Sequence, residues 1–293
     1  MNNDLVQKIA RYKFLGWSLE RIRRHLLLRK SVFHYLLQDL PTNSSTTQLF
    51  SHEKLLKLAT TIDSLRPKSN VLIDQCPIFP RDLTRRAEVI LENEFPISNK
   101  KVLFIGDDDL VSILISSVFE PDLLGLIDID DRVLESLSKN AFGAKKSDKL
   151  ALYEGNIVDI VDKKIDDPFD KSLFDFFVTD PPYTETGYYY FLKFGIKHLK
   201  FGGRAYIAIP YMNLEEWTNE LLFKVEKLLL ENGVVVERLI PGFAMYQHDE
   251  NVVSSMMIAK KVSKPLLANK ATMPSISKMY TTKYPVKKLD VDY

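Results

Sequence analysis

Short apolar runs alternate with amphipathic stretches from Lys100 to Ala259. The pattern predicts strands over 101–105, 123–129, 150–154, 174–179, 204–210, 234–240 and 252–259. Helices are expected between the first six, over 110–119, 131–141, 157–164, 185–199 and 214–231. Strand-helix alternation of this kind builds a doubly wound α/β sheet with ligands at the carboxyl ends of its strands. Too few residues join the last two strands for a crossover helix, so the last one is expected to run antiparallel. Ahead of the sheet, 1–48 reads as a small helical N-terminal domain. Its first helix, with Leu5, Ile9, Tyr12 and Phe14 near helical spacing, stops at Gly16. Ser18 caps a second helix reaching Leu28, and a third runs over 31–40 before Pro41. Polar residues 42–48 make a linker, and connecting helices occupy 49–99. The catalytic domain is expected over 100–262, followed by a Lys-rich C-terminal tail over 263–293.

Seven strands ending in a hairpin look like the class I methyltransferase fold, a Rossmann-like sheet. Composition agrees with a globular chain: 293 residues, 45% hydrophobic and 27% charged. No apolar run approaches the ~20 residues that span a bilayer. No basic prefix precedes an apolar core at the N-terminus either, so a cytoplasmic location without a membrane partner is expected. The single cysteine, Cys76, excludes an internal disulfide and a Cys-rich zinc site, and reads as a small hydrophobe beside Pro77.

The net charge of +1 conceals a polarised chain. Residues 1–40 carry +5 and residues 106–180 carry −10. An acidic middle suits a cationic ligand, and a basic start suits an anionic partner; solvated faces are the plain alternative. The segment from Gly16 to Leu37 resembles a helix-turn-helix of the resolvase kind. Residues 1–40 are therefore a candidate nucleic-acid surface, set against simple three-helix packing.

The candidate chemistry sits at the predicted strand ends. After the first strand comes Gly106-Asp107-Asp108-Asp109-Leu110. A glycine-rich turn there would receive the amino-acid carboxylate of S-adenosylmethionine on its amides. Three carboxylates repel that group and attract an ammonium, which favours a donor lacking its carboxyl. Helix capping by an Asp before Leu110 accounts for one or two of the three. At the second strand end, Asp128 is placed to accept from ribose hydroxyls, with Asp130 or Asp131 capping the next helix. Asn156 is a candidate for the adenine edge, or a turn residue with positive φ. Asp180-Pro181-Pro182-Tyr183 sets a carboxylate on a rigid turn beside an aromatic ring, suited to holding an amine in line with an alkyl group on sulfur. His198 and His248 have no ligand-like spacing, so no metal is expected.

Asp74-Gln75, Arg85-Arg86, the Gly106 to Leu110 turn, Leu126 to Asp130, Thr179 to Pro182 and Phe191 to Ile196 occur in this order. Together they resemble the branched-chain polyamine synthases, aminopropyltransferases that alkylate the central nitrogen of spermidine. The resemblance spans about Val71 to Ala259. It implies decarboxylated S-adenosylmethionine as co-substrate, methylthioadenosine as by-product, and Asp74 and Gln75 as substrate-binding residues. A homodimer is the expected assembly. In this frame Asp108 orients and deprotonates the acceptor with Asp180 beside it, Asp109 holds the donor's propylammonium, and Gly106 and Asp107 complete the donor turn. Two rivals remain: an N-methyltransferase of the Asp-Pro-Pro-Tyr kind acting on nucleic acid or protein, and a DNA-binding regulator with a degenerate enzyme domain.

Overall fold

The computed structural model describes residues 3–14, 19–38, 52–95, 97, 99–141, 147–211, 216–247, 252–265 and 279–280. Gly16, Ser18, the 42–48 segment, His248 and most of 263–293 lie outside them.

Three helices come first: α1 (Asn3–Phe14), α2 (Leu19–His25) and α3 (Lys30–Gln38). They gather Ile9, Tyr12, Ile22, Phe33 and Leu36 into a small core of their own. Arg21, Arg24, Arg29 and Lys30 stay exposed. Next, α4 (His52–Asp63) and α5 (Pro80–Glu94) pack on one face of the sheet. Pro80 starts α5 at a position where its missing N–H costs nothing. The inner stripe of α5 runs through Leu83, Ala87, Ile90 and Leu91, and Arg86 lies buried on that stripe.

The sheet comprises β1 (Lys101–Ile105), β2 (Leu123–Asp128), β3 (Leu150–Glu154), β4 (Phe174–Thr179), β5 (Leu199–Pro210), β6 (Val234–Met245) and β7 (Val253–Lys261). Its order is 3-2-1-4-5-7-6, with β7 antiparallel to both β5 and β6, as the short final connection requires. This is the class I methyltransferase-like arrangement. Crossover helices are α6 (Val111–Val118), α7 (Asp131–Asn140), α8 (Ile157–Val161), α9 (Glu185–His198) and α10 (Glu216–Glu231).

Central strands bury both faces. Val102 and Phe104 enter the core under α5 and α6, while Leu103 and Ile105 enter the core under α9 and α10. Gly195 lets α9 approach β4, because a Cβ there would meet the Phe177 ring at 2.7 Å. Expected boundaries shift: α2 stops at His25 short of Leu28, α8 at Val161 short of 164, and β5 and β6 move most. β5 begins at Leu199 rather than 204, because a register irregularity near Phe174 admits the Gly202-Gly203 pair into the strand. β6 continues past 240 to Met245, bent by an irregularity between Ile240 and Ala244.

Register positions the site. Ile105 pairs with Ile127 and with Thr179, and Asp128 pairs with Glu154. Gly106, Asp128, Gly155 and Asp180 therefore share one edge. The strand order reverses between β1 and β4, the crevice where doubly wound sheets bind ligands.

Candidate active site

The turn after β1 is bounded by two left-handed residues, Gly106 (φ 66°) and Leu110 (φ 55°). Its three aspartates point to three different tasks. Asp107 is buried and caps α6, accepting from the Val111 and Ser112 amides at 2.9 and 3.0 Å. Capping thus falls to Asp107, not to the aspartate next to Leu110. Asp108 is partly exposed to the cleft and accepts from the Cys76 amide at 3.0 Å. Asp109 turns inward: Oδ1 accepts from the Ile78 amide and Oδ2 from Arg86, both at 2.7 Å. Arg66 donates to the Asp109 carbonyl at 3.1 Å. With its carboxylate occupied and only 2% exposed, Asp109 lines neither pocket described below, contrary to the expectation that it meets the donor's ammonium.

At the end of β2, Asp128 accepts from the Asp107 amide at 3.0 Å and the Asp130 amide at 2.9 Å. Each oxygen keeps a second lone pair for a hydroxyl donor. Asp130 caps α7 and accepts from Gln75 at 2.8 Å. Gln75 is thereby clasped: its oxygen takes the Asn70 amide and its nitrogen reaches Asp130. Asn156 caps α8 through Oδ1 with φ −82°, so the positive-φ alternative does not hold. Asp74 has the left-handed conformation instead (φ 58°).

Asp180 follows β4 and is held from two sides. Arg86 Nη2 donates to Oδ2 at 3.1 Å, and the Tyr246 hydroxyl lies 3.0 Å from Oδ2 and 3.2 Å from Oδ1. Tyr183 is hydrogen-bonded to Tyr246 through the two hydroxyls. Tyr188, by contrast, is buried with its hydroxyl on the Ala208 carbonyl, and Tyr190 is buried in the same core.

Two pockets open on this edge. The first is floored by Gly106, Asp107, Asp128, Asn156 and Ile157, a lining fit for a nucleoside, with Phe191 and Tyr280 at its walls. The second runs along Pro181, Tyr183, Tyr246 and Val252. Asp74, Gln75, Asp108, Asp180 and Pro182 line both. The two aspartates expected to carry the chemistry thus stand where the pockets adjoin.

Charge is unevenly distributed among these carboxyls. Arg86 is shared by Asp109 and Asp180. Among the described residues no guanidinium stands within ion-pair distance of Asp108, and burial and repulsion from Asp109, Asp180 and Asp128 raise its carboxyl well above the ordinary range, against a weaker pull from Arg66. Burial also raises Asp180, against the pull of Arg86. Burial pushes Asp128 up to about 6 and Asp107 up to about 8.

Residues 54–288 match the family defined by the branched-chain polyamine synthase A C-terminal domain. The chain belongs to the branched-chain polyamine synthase A family. An uncharacterized protein of Methanocaldococcus jannaschii is 31% identical over 74% of this chain and 51% of its own length. The N(4)-bis(aminopropyl)spermidine synthase of Thermococcus kodakarensis is 28% identical over 69% of this chain and 55% of its own. The chain spans about half the length of the curated relatives it matches. The branched-chain polyamine synthase of Thermus thermophilus shares the fold at a TM-score of 0.63 and 19% identity, covering 78% of this chain and 70% of that one. A putative RNA methyltransferase of Pyrococcus horikoshii shares it at 0.55 and 14% identity, covering 72% and 98%.

Sequence reasoning gave no site role to Arg86, quoted only within the Arg85-Arg86 pair, and did not name Tyr246. Arg86 could have been found as a cation on the apolar stripe of α5, where an unpaired charge is costly. Tyr246, 66 residues beyond Asp180, carries no local signal.

Proposed function

We propose that this chain transfers the aminopropyl group of decarboxylated S-adenosylmethionine to a secondary amine of a polyamine such as spermidine, leaving methylthioadenosine. The observation that carries this reading is the pair of adjoining pockets with Asp108 and Asp180 in their common wall. The Thermus thermophilus relative was solved in complex with N4-aminopropylspermidine and 5′-methylthioadenosine, a product pair of this chemistry.

In the donor pocket, Asp128 holds the ribose diol and Asn156 offers its amide nitrogen to the adenine. Intact S-adenosylmethionine would bring a carboxylate toward Asp74, Asp108 and Asp180, at a desolvation and repulsion cost that the decarboxylated form avoids. Asp74, rather than Asp109, is the carboxylate assigned to the propylammonium.

In the acceptor pocket, Tyr183 packs against the amine while Asp108 and Asp180 bracket it. A free secondary amine has a pKa near ~10 and needs deprotonation. Its lone pair attacks the methylene beside sulfur, the C–S bond breaks, and the bonding pair neutralises the sulfonium. The amine proton passes to Asp108, whose raised carboxyl pKa makes the carboxylate a better base than an ordinary aspartate.

The test is incubation with decarboxylated or intact S-adenosylmethionine and a polyamine panel, read by mass. Added propylamine units with the decarboxylated donor only are expected. Methylated product, or none with the decarboxylated donor, would overturn the proposal.

A further inference from the structure

The tyrosine at the end of the C-terminal hairpin reaches back into the site. Met245 O accepts from the Phe79 amide at 3.3 Å, and Asp82 Oδ2 accepts from the Met245 amide at 3.0 Å. The Gln247 amide donates to Pro77 O at 2.9 Å, and Ile78 and Tyr246 form a bridge. These bonds fix the backbone around Tyr246 against the start of α5. Its ring is 5% exposed within the core under α5 and α6, and its hydroxyl meets Asp180.

With Asp180 ionised, the direction of each bond in this chain follows. A carboxylate only accepts, so the Tyr246 proton lies toward Asp180. Tyr246 then has only lone pairs left, so Tyr183 donates to it. Burial, with Asp180 next in effect, raises both phenols well above their ordinary value and keeps those protons in place. From the other side, Arg86 on α5 donates to Asp180 and also serves Asp109. Asp108 and Asp109 of the β1–α6 turn oppose this by repulsion. Two donors on two elements thus hold one carboxylate against two neighbouring negative charges.

We propose that Tyr246 is a positioning residue, and that its hydroxyl, relayed from Tyr183, fixes the Asp180 carboxylate as an anion facing the acceptor amine. Asp180 is then the fixed anion and Asp108 the group that changes protonation during transfer. This rests on the aminopropyl-transfer reading for its kinetic consequence, but not for the state of Asp180 itself.

Two measurements on Tyr246→Phe test it. The first is carboxyl 13C NMR titration, with the Asp180 signal assigned through Asp180→Asn; it needs no turnover. The Asp180 midpoint should rise by about one pH unit when one donor is lost. The second is methylthioadenosine release across pH, with decarboxylated donor and spermidine. Here kcat should fall about tenfold, the acid limb should move upward, and donor KM should hold. Tyr183→Phe, which removes the relayed donor alone, should shift both in the same direction by less, and it supplies the test where Tyr246→Phe does not fold. An unchanged Asp180 midpoint, or a raised donor KM with wild-type kcat and pH profile, overturns the proposal. If the wild type transfers nothing, the functional reading fails, while the Asp180 midpoint still decides the role of Tyr246.

Discussion

Arg86 Nη1 stands 2.7 Å from Asp109 Oδ2, with both side chains withdrawn from water. One guanidinium therefore neutralises an aspartate that fixes the β1 turn and, through its second nitrogen, an aspartate of the cleft. Arg86→Met should strip Asp180 of its guanidinium and leave Asp109 with only Arg66, 3.7 Å away. Removing one partner of a buried pair costs about 3–5 kcal/mol, so urea unfolding should show a large loss or no folded protein. Asp109→Asn keeps the shape and an acceptor for the Ile78 amide. It should lower the unfolding midpoint while leaving calorimetric affinity for the donor intact. A folded Asp109→Asn protein with collapsed donor affinity would restore Asp109 to the donor's ammonium.

Asp107 serves the fold in another way. Its two bonds to the first amides of α6 make it the cap of the helix beneath the first pocket. Asp107→Ala should cost about 1 kcal/mol, and up to ~2 in this buried setting, read as a lower midpoint in thermal or urea unfolding. Asp107→Ser, which retains a capping oxygen, should recover most of that loss. No recovery would mean that the second amide bond, which one hydroxyl does not replace, is what matters at 107.

The strands were legible because burial on both faces writes continuous apolar runs, as in Lys101–Ile105 and Phe174–Thr179. Asp128 and Asp180 could be placed at one edge because each follows such a run directly. The separate tasks of Asp107, Asp108 and Asp109 were not legible. Three identical neighbours differ only in where the left-handed ends of the turn aim them and in their partners: Ser112 on the next helix for Asp107, and Cys76 and Arg86 from distant segments for Asp108 and Asp109. Tyr246 was hidden for the same reason, since its partner lies across the sheet edge rather than along the chain.

Asp108 should control the pH dependence of turnover. Its carboxyl is raised by burial and by three neighbouring aspartates, so it holds its proton at a pH where an ordinary aspartate is already ionised. The base form gains as pH rises through that raised value, so kcat should climb on the acid side well above the usual carboxylate range. Asp108→Asn should abolish this limb and lower kcat by about 100-fold or more, the scale of general base catalysis, with donor affinity retained. A wild-type pH profile in Asp108→Asn would pass the base role to another group.

Asp128 gives the complementary prediction, for binding rather than turnover. Two amides hold its carboxylate at the pocket floor, and burial pushes it up to about 6. The ribose diol needs the ionised form as a double acceptor. Above about pH 6 that form dominates, and donor affinity should be full and nearly flat. Below it the free protein binds a proton that the complex must release. Affinity should then fall toward a tenfold loss per pH unit, with proton release measured by calorimetry in buffers of different ionisation enthalpy. Asp128→Asn keeps one acceptor but loses the charge, so it should weaken donor binding by about 1.5–3 kcal/mol and flatten the pH response together. The ribose hydroxyls are held equally before and during transfer, so single-turnover kcat at saturating donor should stay close to wild type. A loss confined to kcat, with binding and its pH response unchanged, would take the ribose contact away from Asp128.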